Sequence, residues 1–376
     1  MSTTFAVEYP LWALARDGGE RLVRILDEIG PNAITVDVIS GLLATISAEA
    51  GWFHTDGGWH YPHDSAAYRG STLRPHSAGW FGRKNYLREL VELAEPRGVK
   101  LLLRIGLRRV PALSNKYPHM LARSAWDNEM PWACPHHADW RELVREALAE
   151  LSAYAPLGFV IDDLTMSGPA LVPTLSWRPL AADLATTCFC PACRQRASEA
   201  VAVDFGGDAD ALARSIRAHF GRALTEPDAI ARRVIDDEPL TRFLRANVED
   251  TRRWLTHLCD GYPECGVWIA VDSHSASRRR VGWPDAADAL EQTGCGAWTA
   301  ATMIPAGETL GEQGATTHAV SVPCWLPACQ DSEMLVRTVR EHSRVGVGVI
   351  SLAGLAEAPD EAIAWTRQAV RYARRG

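Results

Sequence analysis

The 376-residue chain contains no uninterrupted apolar run of the roughly 20 residues a membrane-spanning helix needs. A membrane partner is therefore not expected. It also has no basic excess: 39 Lys and Arg stand against 46 Asp and Glu, a net charge of −7, with both signs mixed along the sequence. Nucleic-acid binders gather Lys and Arg on one face, so no nucleic-acid partner is expected either. The first ten residues, MSTTFAVEYP, lack the basic segment and apolar stretch of a secretory signal. Together with nine cysteines this leads to the expectation of a cytoplasmic protein with reduced thiols and no disulfide framework. No Gly-rich phosphate loop follows the first candidate strand, which argues against a dinucleotide-binding open sheet. There is no internal repeat, low-complexity tract or clear linker.

What is present is a regular alternation. Short apolar, β-branched runs occur at Phe5–Tyr9, Ala33–Ile39, Lys100–Gly106, Gly158–Leu164, Gly266–Asp272, Gly296–Ile304, His318–Pro323 and Val345–Leu352. Helical patterns separate them at Gly19–Ile29, Asn85–Pro96, Trp140–Tyr154, Asp285–Thr293, Ser332–Arg344 and Pro359–Arg374. Eight β-then-α units predict a closed (βα)8 TIM barrel, with a doubly wound sheet as the alternative. Three connections are long: 40–84 after strand two, 107–139 after strand three and 165–265 after strand four. Loops that follow strands lie on the C-terminal face, where barrel active sites are built. The expected organisation is one barrel over residues 1–376, with a metal-bearing helical subdomain inserted at 165–265. Tryptophan is abundant, at 14 residues, and several fall in these loops (Trp52, Trp59, Trp80, Trp126, Trp132, Trp177). Indole faces there suit either a sugar ligand or the packing of long loops onto the barrel.

The run CFCPACR places Cys188, Cys190 and Cys193 within six residues. Thiols this close cannot sensibly pair with one another, but they can converge on a soft cation such as Zn2+, which takes four ligands in a tetrahedron. The run TCFCPACRQRA, together with the upstream ACPHHADWREL, resembles the zinc site of glycoside hydrolase family 42, the β-galactosidases, and of related barrel proteins. That family carries Cys-x-Cys-x-x-Cys after strand four and an upstream Cys-Pro before a helix that begins with an aromatic-Arg pair, here Trp140-Arg141. The resemblance, covering roughly residues 132–196, implies that Cys134, Cys188, Cys190 and Cys193 hold a structural Zn2+. Neighbouring loops of a barrel would bring the two segments together, and four thiolates would leave no open metal position. Replacement of one thiol by His136 or His137, or three metal-free buried thiols, remain the alternatives. Cys324 and Cys329, in PCWLPAC, read as small core residues or as a redox or substrate-contacting pair; Cys259, Cys265 and Cys295 read as structural.

Acids gather at strand ends. Strand four ends in Asp162-Asp163, strand five in Asp272-Ser273-His274, strand two carries Asp37 and strand one Glu8. Glycoside hydrolysis needs paired carboxyl groups, so Asp162, Asp163 and Asp272 are the catalytic candidates. Glu8, Asp37, His60, Arg104, His274 and Trp325 are the substrate-binding candidates; the bland alternative is a ring of salt bridges bracing the barrel top. The His-rich loop after strand two includes His60-x-x-His63, which reads as a solvated polar loop first, as a substrate contact second and as the start of a metal site last. Family 42 has Asn-Glu at the end of strand four and a nucleophilic Glu at the end of strand seven. Here those places hold Asp162-Asp163 and the acid-free stretch Ser321-Val322-Pro323-Cys324-Trp325. The expected function is a glycoside hydrolase-like enzyme acting on a small carbohydrate by carboxylate acid/base catalysis. The alternatives are a non-hydrolytic barrel enzyme (isomerase, lyase or aldolase) and a catalytically silent carbohydrate-binding homologue. Members of the resembled family often assemble, which leaves a homo-oligomer open.

Overall fold

The computed structural model describes residues 3–41, 43–47, 51–164, 173–175, 178–207, 209–271, 282–284, 286–290, 293–300, 318–325 and 327–375. Eight parallel strands form the body: β1 (Thr4–Glu8), β2 (Ala33–Ser40), β3 (Lys100–Ile105), β4 (Gly158–Ile161), β5 (Gly266–Val271), β6 (Gly296–Ala300), β7 (His318–Pro323) and β8 (Val349–Ala353). Each pairs with the next, and β1 pairs with both β8 and β2, so the sheet closes on itself. This is the expected (βα)8 barrel. Around it run α1 (Leu11–Asp17), α2 (Glu20–Ile29), α3 (Tyr86–Ala94), α4 (Pro111–Lys116), α5 (Ala138–Leu151), α6 (Pro179–Thr186), α7 (Pro191–Val201), α8 (Ala209–Thr225), α9 (Pro227–Asp236), α10 (Glu238–Asp260), α11 (Ser332–Arg344) and α12 (Asp360–Ala373).

The barrel interior explains several otherwise odd residues. One interior cluster takes a single side chain from every strand: Ala6, Ala33, Leu102, Val160, Trp268, Trp298, Ala319 and Val349. Two indoles fit in it because three of its members are alanine. Trp268 also needs Gly158 and Gly266, since a Cβ at either would lie 2.4 Å or less from its ring. Above this cluster the buried Thr35 and Ser351 hydroxyls satisfy one another at 2.9 Å.

Helices α6 to α10 all lie between β4 and β5 and build a second apolar core around Phe189, Phe205, Ile216, Leu240 and Phe243. The hairpin of 121–123 and 129–133, which belongs to the β3–α5 connection, packs into the same core through Ala122, Met130 and Trp132. Helix α10 joins the two cores: Leu240, Phe243 and Ala246 sit in the second, Leu255 and Leu258 in the first. No described helix is long and apolar enough to cross a membrane.

Three expectations are corrected. The helix expected over 285–293 is, among its described residues, a single 3-10 turn, Ala286–Leu290. It ends where the Thr293 hydroxyl donates to the Leu290 carbonyl and Gly294 turns to φ 79°. The eighth strand begins at Val349 rather than Val345, because Val345 still bonds back to Glu341 as the end of α11 and Gly346, at φ 82°, makes the turn. Finally, the thiols are not all reduced: Cys259 at the end of α10 and Cys295 before β6 form a disulfide, with Cα atoms 6.5 Å apart. Packing of that helix end against β6 brings them together across 36 residues. Cys324 and Cys329 are buried free thiols within the main core.

Candidate active site and metal centre

Side chains on a strand alternate between the two faces, so the inward cluster fixes what lies above it. Two residues beyond Ala6 comes Glu8; beyond Leu102, Arg104; beyond Val160, Asp162; beyond Ala319, Ser321; and Asp37 is four beyond Ala33. Five polar residues are thereby delivered to the C-terminal mouth of the barrel. Arg104 is their hub. Its Nη2 donates to Glu8 Oε1 at 3.2 Å and to Ser321 Oγ at 3.4 Å, its Nη1 lies 3.7 Å from Asp37 Oδ1, and its guanidinium sits 5.5 Å over the Trp298 ring. Burial opposes the Arg104 charge, but Glu8, Asp37 and Asp162 outweigh it and push its titration further up. The Ser321 hydroxyl donates to Glu8 and accepts from Trp298 Nε1 at 3.0 Å. The end of strand seven thus supplies a hydroxyl to this network, where family 42 would supply a carboxylate.

Beside the hub opens a cavity of about 520 Å3. Asp37, Arg104, Asp162 and Asp163 form one side, and Arg109, Ser114, Asn115 and Trp132 from the β3–α5 connection form another. Asp37 faces the cavity where a bulge interrupts the pairing of β2 with β3. Enclosure pushes its carboxyl up to about 6; Arg104 opposes this, and Glu8 and Asp162 reinforce it.

Asp163 departs from the strand alternation. Its backbone lies in the left-handed region at φ 51°, a conformation that Asp and Asn tolerate better than most residues. This turn swings the side chain sideways beneath the β3–α5 connection. There Oδ2 accepts from the Arg108 N–H at 2.9 Å, while the Arg108 guanidinium donates to the Asp163 carbonyl at 3.0 Å. The residue is 3% exposed, and Oδ1 has no hydrogen-bond partner among the described residues. Burial, then the charge of Asp162, pushes the Asp163 carboxyl up to about 7. Ser114 Oγ and Trp132 Nε1 are likewise buried and without partners among the described residues. Three residues lining one cavity therefore each hold an unsatisfied polar atom, where such atoms are ordinarily paired.

The other sequence candidates fall elsewhere. His60 is 3% exposed and does not line the cavity. Its Nδ1 accepts from Trp80 Nε1 at 2.9 Å and its Nε2 lies 2.7 Å from Ser40 Oγ, so it braces Ser40, which does line the cavity. Burial pulls the His60 titration down to about 4, keeping the ring neutral. His63 instead meets Ser77 Oγ at 3.2 Å, and no ligand cluster forms around His60-x-x-His63 among the described residues. Trp325 packs against Trp365 of α12, with ring centroids 5.2 Å apart. Asp272 and His274 lie outside the described residues, as do Trp177 and the side chain of Trp52. Trp59 is fully buried, its indole bonded to Tyr68, and Trp126 is exposed.

Of the loop tryptophans offered as ligand surfaces, Trp132 does line the cavity; sequence reading missed Ser114 and Arg109, since nothing in their local pattern separates them from any loop residue. It also missed Glu357, which follows β8, is close enough to Glu8 to feel its charge, and is pushed up by burial. An acid soon after the last strand was the available signal.

The four cysteines do converge. Cys134 Sγ lies 3.3 Å from Cys193 Sγ and 3.5 Å from Cys190 Sγ, and all four sulfurs fall within 4.8 Å of one another. A tetrahedral ion with arms of about 2.3 Å separates its ligands by about 3.8 Å, so the sulfurs are within metal-binding distance. Local structure explains the spacing. Cys190 is the N-cap of α7, with Pro191 in its first turn, and its sulfur accepts the Cys193 N–H at 3.4 Å as a Ser or Asp oxygen would. Cys134 accepts the His136 N–H at 3.4 Å. Burial pushes the Cys134 and Cys193 thiols well up, while sulfhydryl neighbours hold Cys190 down. Four thiolates can coexist here only around a cation. His136 is not a competing ligand: its Nδ1 lies 2.6 Å from Asp250 Oδ2 on α10, an acid also held by Arg141.

No protein-family model matches the chain, and no curated protein matches it. Solved structures do share its fold. An α-L-fucosidase from Paenibacillus thiaminolyticus matches 98% of this chain and 49% of its own at 14% identity, TM-score 0.55. A β-galactosidase from the psychrophilic Marinomonas ef1 matches 98% and 59% at 11% identity, TM-score 0.55. A family 42 β-galactosidase from G. stearothermophilus matches 100% and 56% at 12% identity, TM-score 0.54. The chain spans about half to three-fifths of the length of these glycoside hydrolases.

Proposed function

We propose that this protein is a glycoside hydrolase-like enzyme in which Asp163 donates a proton to the leaving oxygen and Asp37, which lines the same cavity, is the base. The observation that carries the reading is Asp163 itself: a buried carboxyl in a disfavoured backbone conformation, protonated up to about pH 7, with one oxygen free of partners beside a cavity. Strained backbone at a functional site is a recognised pattern, and a carboxylic acid kept neutral by burial is what proton donation requires. Asp162 raises both carboxyl groups and so sets the working range. Ser114 and Trp132 line the same cavity, and the Trp132 ring offers a face for a sugar. Glu8, held by Arg104 and Ser321, is a fixed anion near the reacting centre. Asp272 and His274, from the next strand, complete the candidate set. Structural neighbours that act on glycosides support the substrate class.

Cys134, Cys188, Cys190 and Cys193 would hold Zn2+. With all four positions filled by sulfur, the ion supplies only a cross-link. It ties the β3–α5 connection, which carries the Trp132 wall, to the start of α7, and the chemistry stays with the carboxyl groups.

The test is hydrolysis of a panel of aryl glycosides. Turnover that falls by roughly 100- to 10,000-fold in Asp163→Asn, with the fold intact, is the expected result. A wild-type protein that binds sugars in calorimetry but turns over no member of the panel would instead mark a silent binding homologue. Undiminished turnover in Asp163→Asn would remove Asp163 from the mechanism.

A further inference from the structure

We propose a second metal site, independent of the four cysteines and of the glycosidase reading: a labile divalent ion held by His119, His137 and Asp139. The three residues come from two elements. His119 lies in the 3-10 turn Pro118–Met120, His137 is the N-cap of α5, and Asp139 is in its first turn. Each offers one ligand atom, and the three atoms fall within 4.8 Å of one another. His119 Nε2 is 3.2 Å from Asp139 Oδ2, and His137 Nδ1 is 4.0 Å from the same oxygen. Two nitrogen or oxygen ligands about 2.1 Å from a tetrahedral ion lie about 3.4 Å apart, so both separations need only small side-chain rotations. The two imidazoles already meet edge to face, with ring centroids 5.4 Å apart.

Two imidazoles and one carboxylate suit a borderline ion such as Zn2+, Ni2+, Co2+ or Cu2+ rather than Mg2+ or Ca2+. Three protein ligands leave at least one position for water. His119 is 52% exposed on its side chain. Both features make the ion exchangeable, unlike one enclosed by four buried sulfurs. The N-terminus of α5 opposes a cation, and the Asp139 carboxylate offsets this. The bond lost is the weak cap in which the Asp139 N–H donates to His137 Nδ1 at 3.3 Å.

The consequence is mechanical. Leu121, Pro131 and Trp132 line the cavity and lie between residues 119 and 137. An ion joining those two points staples the base of the cavity wall from its outer side.

Metal content of the purified, zinc-replete protein, measured before and after brief EDTA treatment, tests the site. Two ions per chain before treatment and one after are expected. His119→Ala and Asp139→Asn should each carry one EDTA-resistant ion throughout, which also reports that the variants are folded. Ni2+ titrated into the treated wild type should bind one equivalent, and on the order of tenfold or more weaker in either variant. Co2+ in the labile site should show no intense thiolate-to-metal absorption. A wild type with no EDTA-labile ion, variants that keep it, or variants that lose both ions together would each overturn the proposal.

Discussion

The cysteine centre and the barrel mouth sit on adjoining loops, yet they are built on opposite principles. At the centre, three like groups within six residues are placed by one helix cap, a fourth, Cys134, comes from the β3–α5 connection, and the four sulfurs fall within 4.8 Å of one another. At the mouth, unlike groups from five strands converge, and their properties come from what surrounds them. Asp162 and Asp163 are neighbours in sequence with the same side chain, but one lies on the inward face of β4 and the other is swung by a left-handed turn into a closed niche. The lesson is that the CFCPACR thiols are grouped by local structure, whereas the properties of the carboxyl groups at the mouth are made by tertiary environment.

This contrast can be broken experimentally, and the largest effect should come at Asp163. Asp163→Asn keeps a residue that tolerates φ near 50° and removes the burden of a buried charge. Activity should fall by roughly 100-fold or more, while stability at pH 8 should rise. The sign follows from linkage. The folded carboxyl titrates near 7 and the unfolded one near 3.8, so the unfolded chain binds fewer protons between those values and stability falls as pH rises through that window. The full shift corresponds to roughly 4 kcal/mol as an upper bound. Urea melts at pH 5 and pH 8 should therefore show the variant gaining mainly at the higher pH. A variant that loses both activity and stability would make Asp163 a structural residue.

The next largest effect should come from Cys190→Ser. Loss of the ion should loosen α6 to α9 and the 121–133 hairpin, which share the second core, and leave the barrel folded. Hydrogen exchange should show faster exchange in those segments and unchanged protection in β1, β2 and β8. Uniform loss of protection across the chain would show that the two regions are one cooperative unit.

A smaller, sharper effect concerns the pH profile. With Asp37 near 6 and Asp163 near 7, kcat/KM should peak narrowly between them. Asp162→Asn removes a charge that raises both, so both limbs should move to lower pH. An unmoved profile would mean that Asp162 is not their electrostatic neighbour. Smallest of all, Ser321→Ala should cost about 1 kcal/mol by removing a hydroxyl that serves Glu8, Arg104 and Trp298, with activity retained within a few-fold.

The barrel was readable in the chain because its signal is periodic. Eight apolar runs alternating with amphipathic helices can close in few ways, and the strand ends already gathered Glu8, Asp37, Arg104 and the Asp162-Asp163 pair at one rim. Cys188, Cys190 and Cys193 were readable because they fall within six residues, and Cys134 was reached through the family resemblance. Nothing local in the chain pointed to the pairing of Cys259 with Cys295, to the placing of Ser114 beside Trp132, or to the meeting of His119 with His137 and Asp139. Those depend on where distant segments pack. Residue type set which groups can ionise, cap or ligate, since that chemistry belongs to the side chain. The packed structure alone decided which acid is buried, which guanidinium is shared and which polar atoms lack partners, because desolvation and Coulomb interactions depend on distances that exist only after folding.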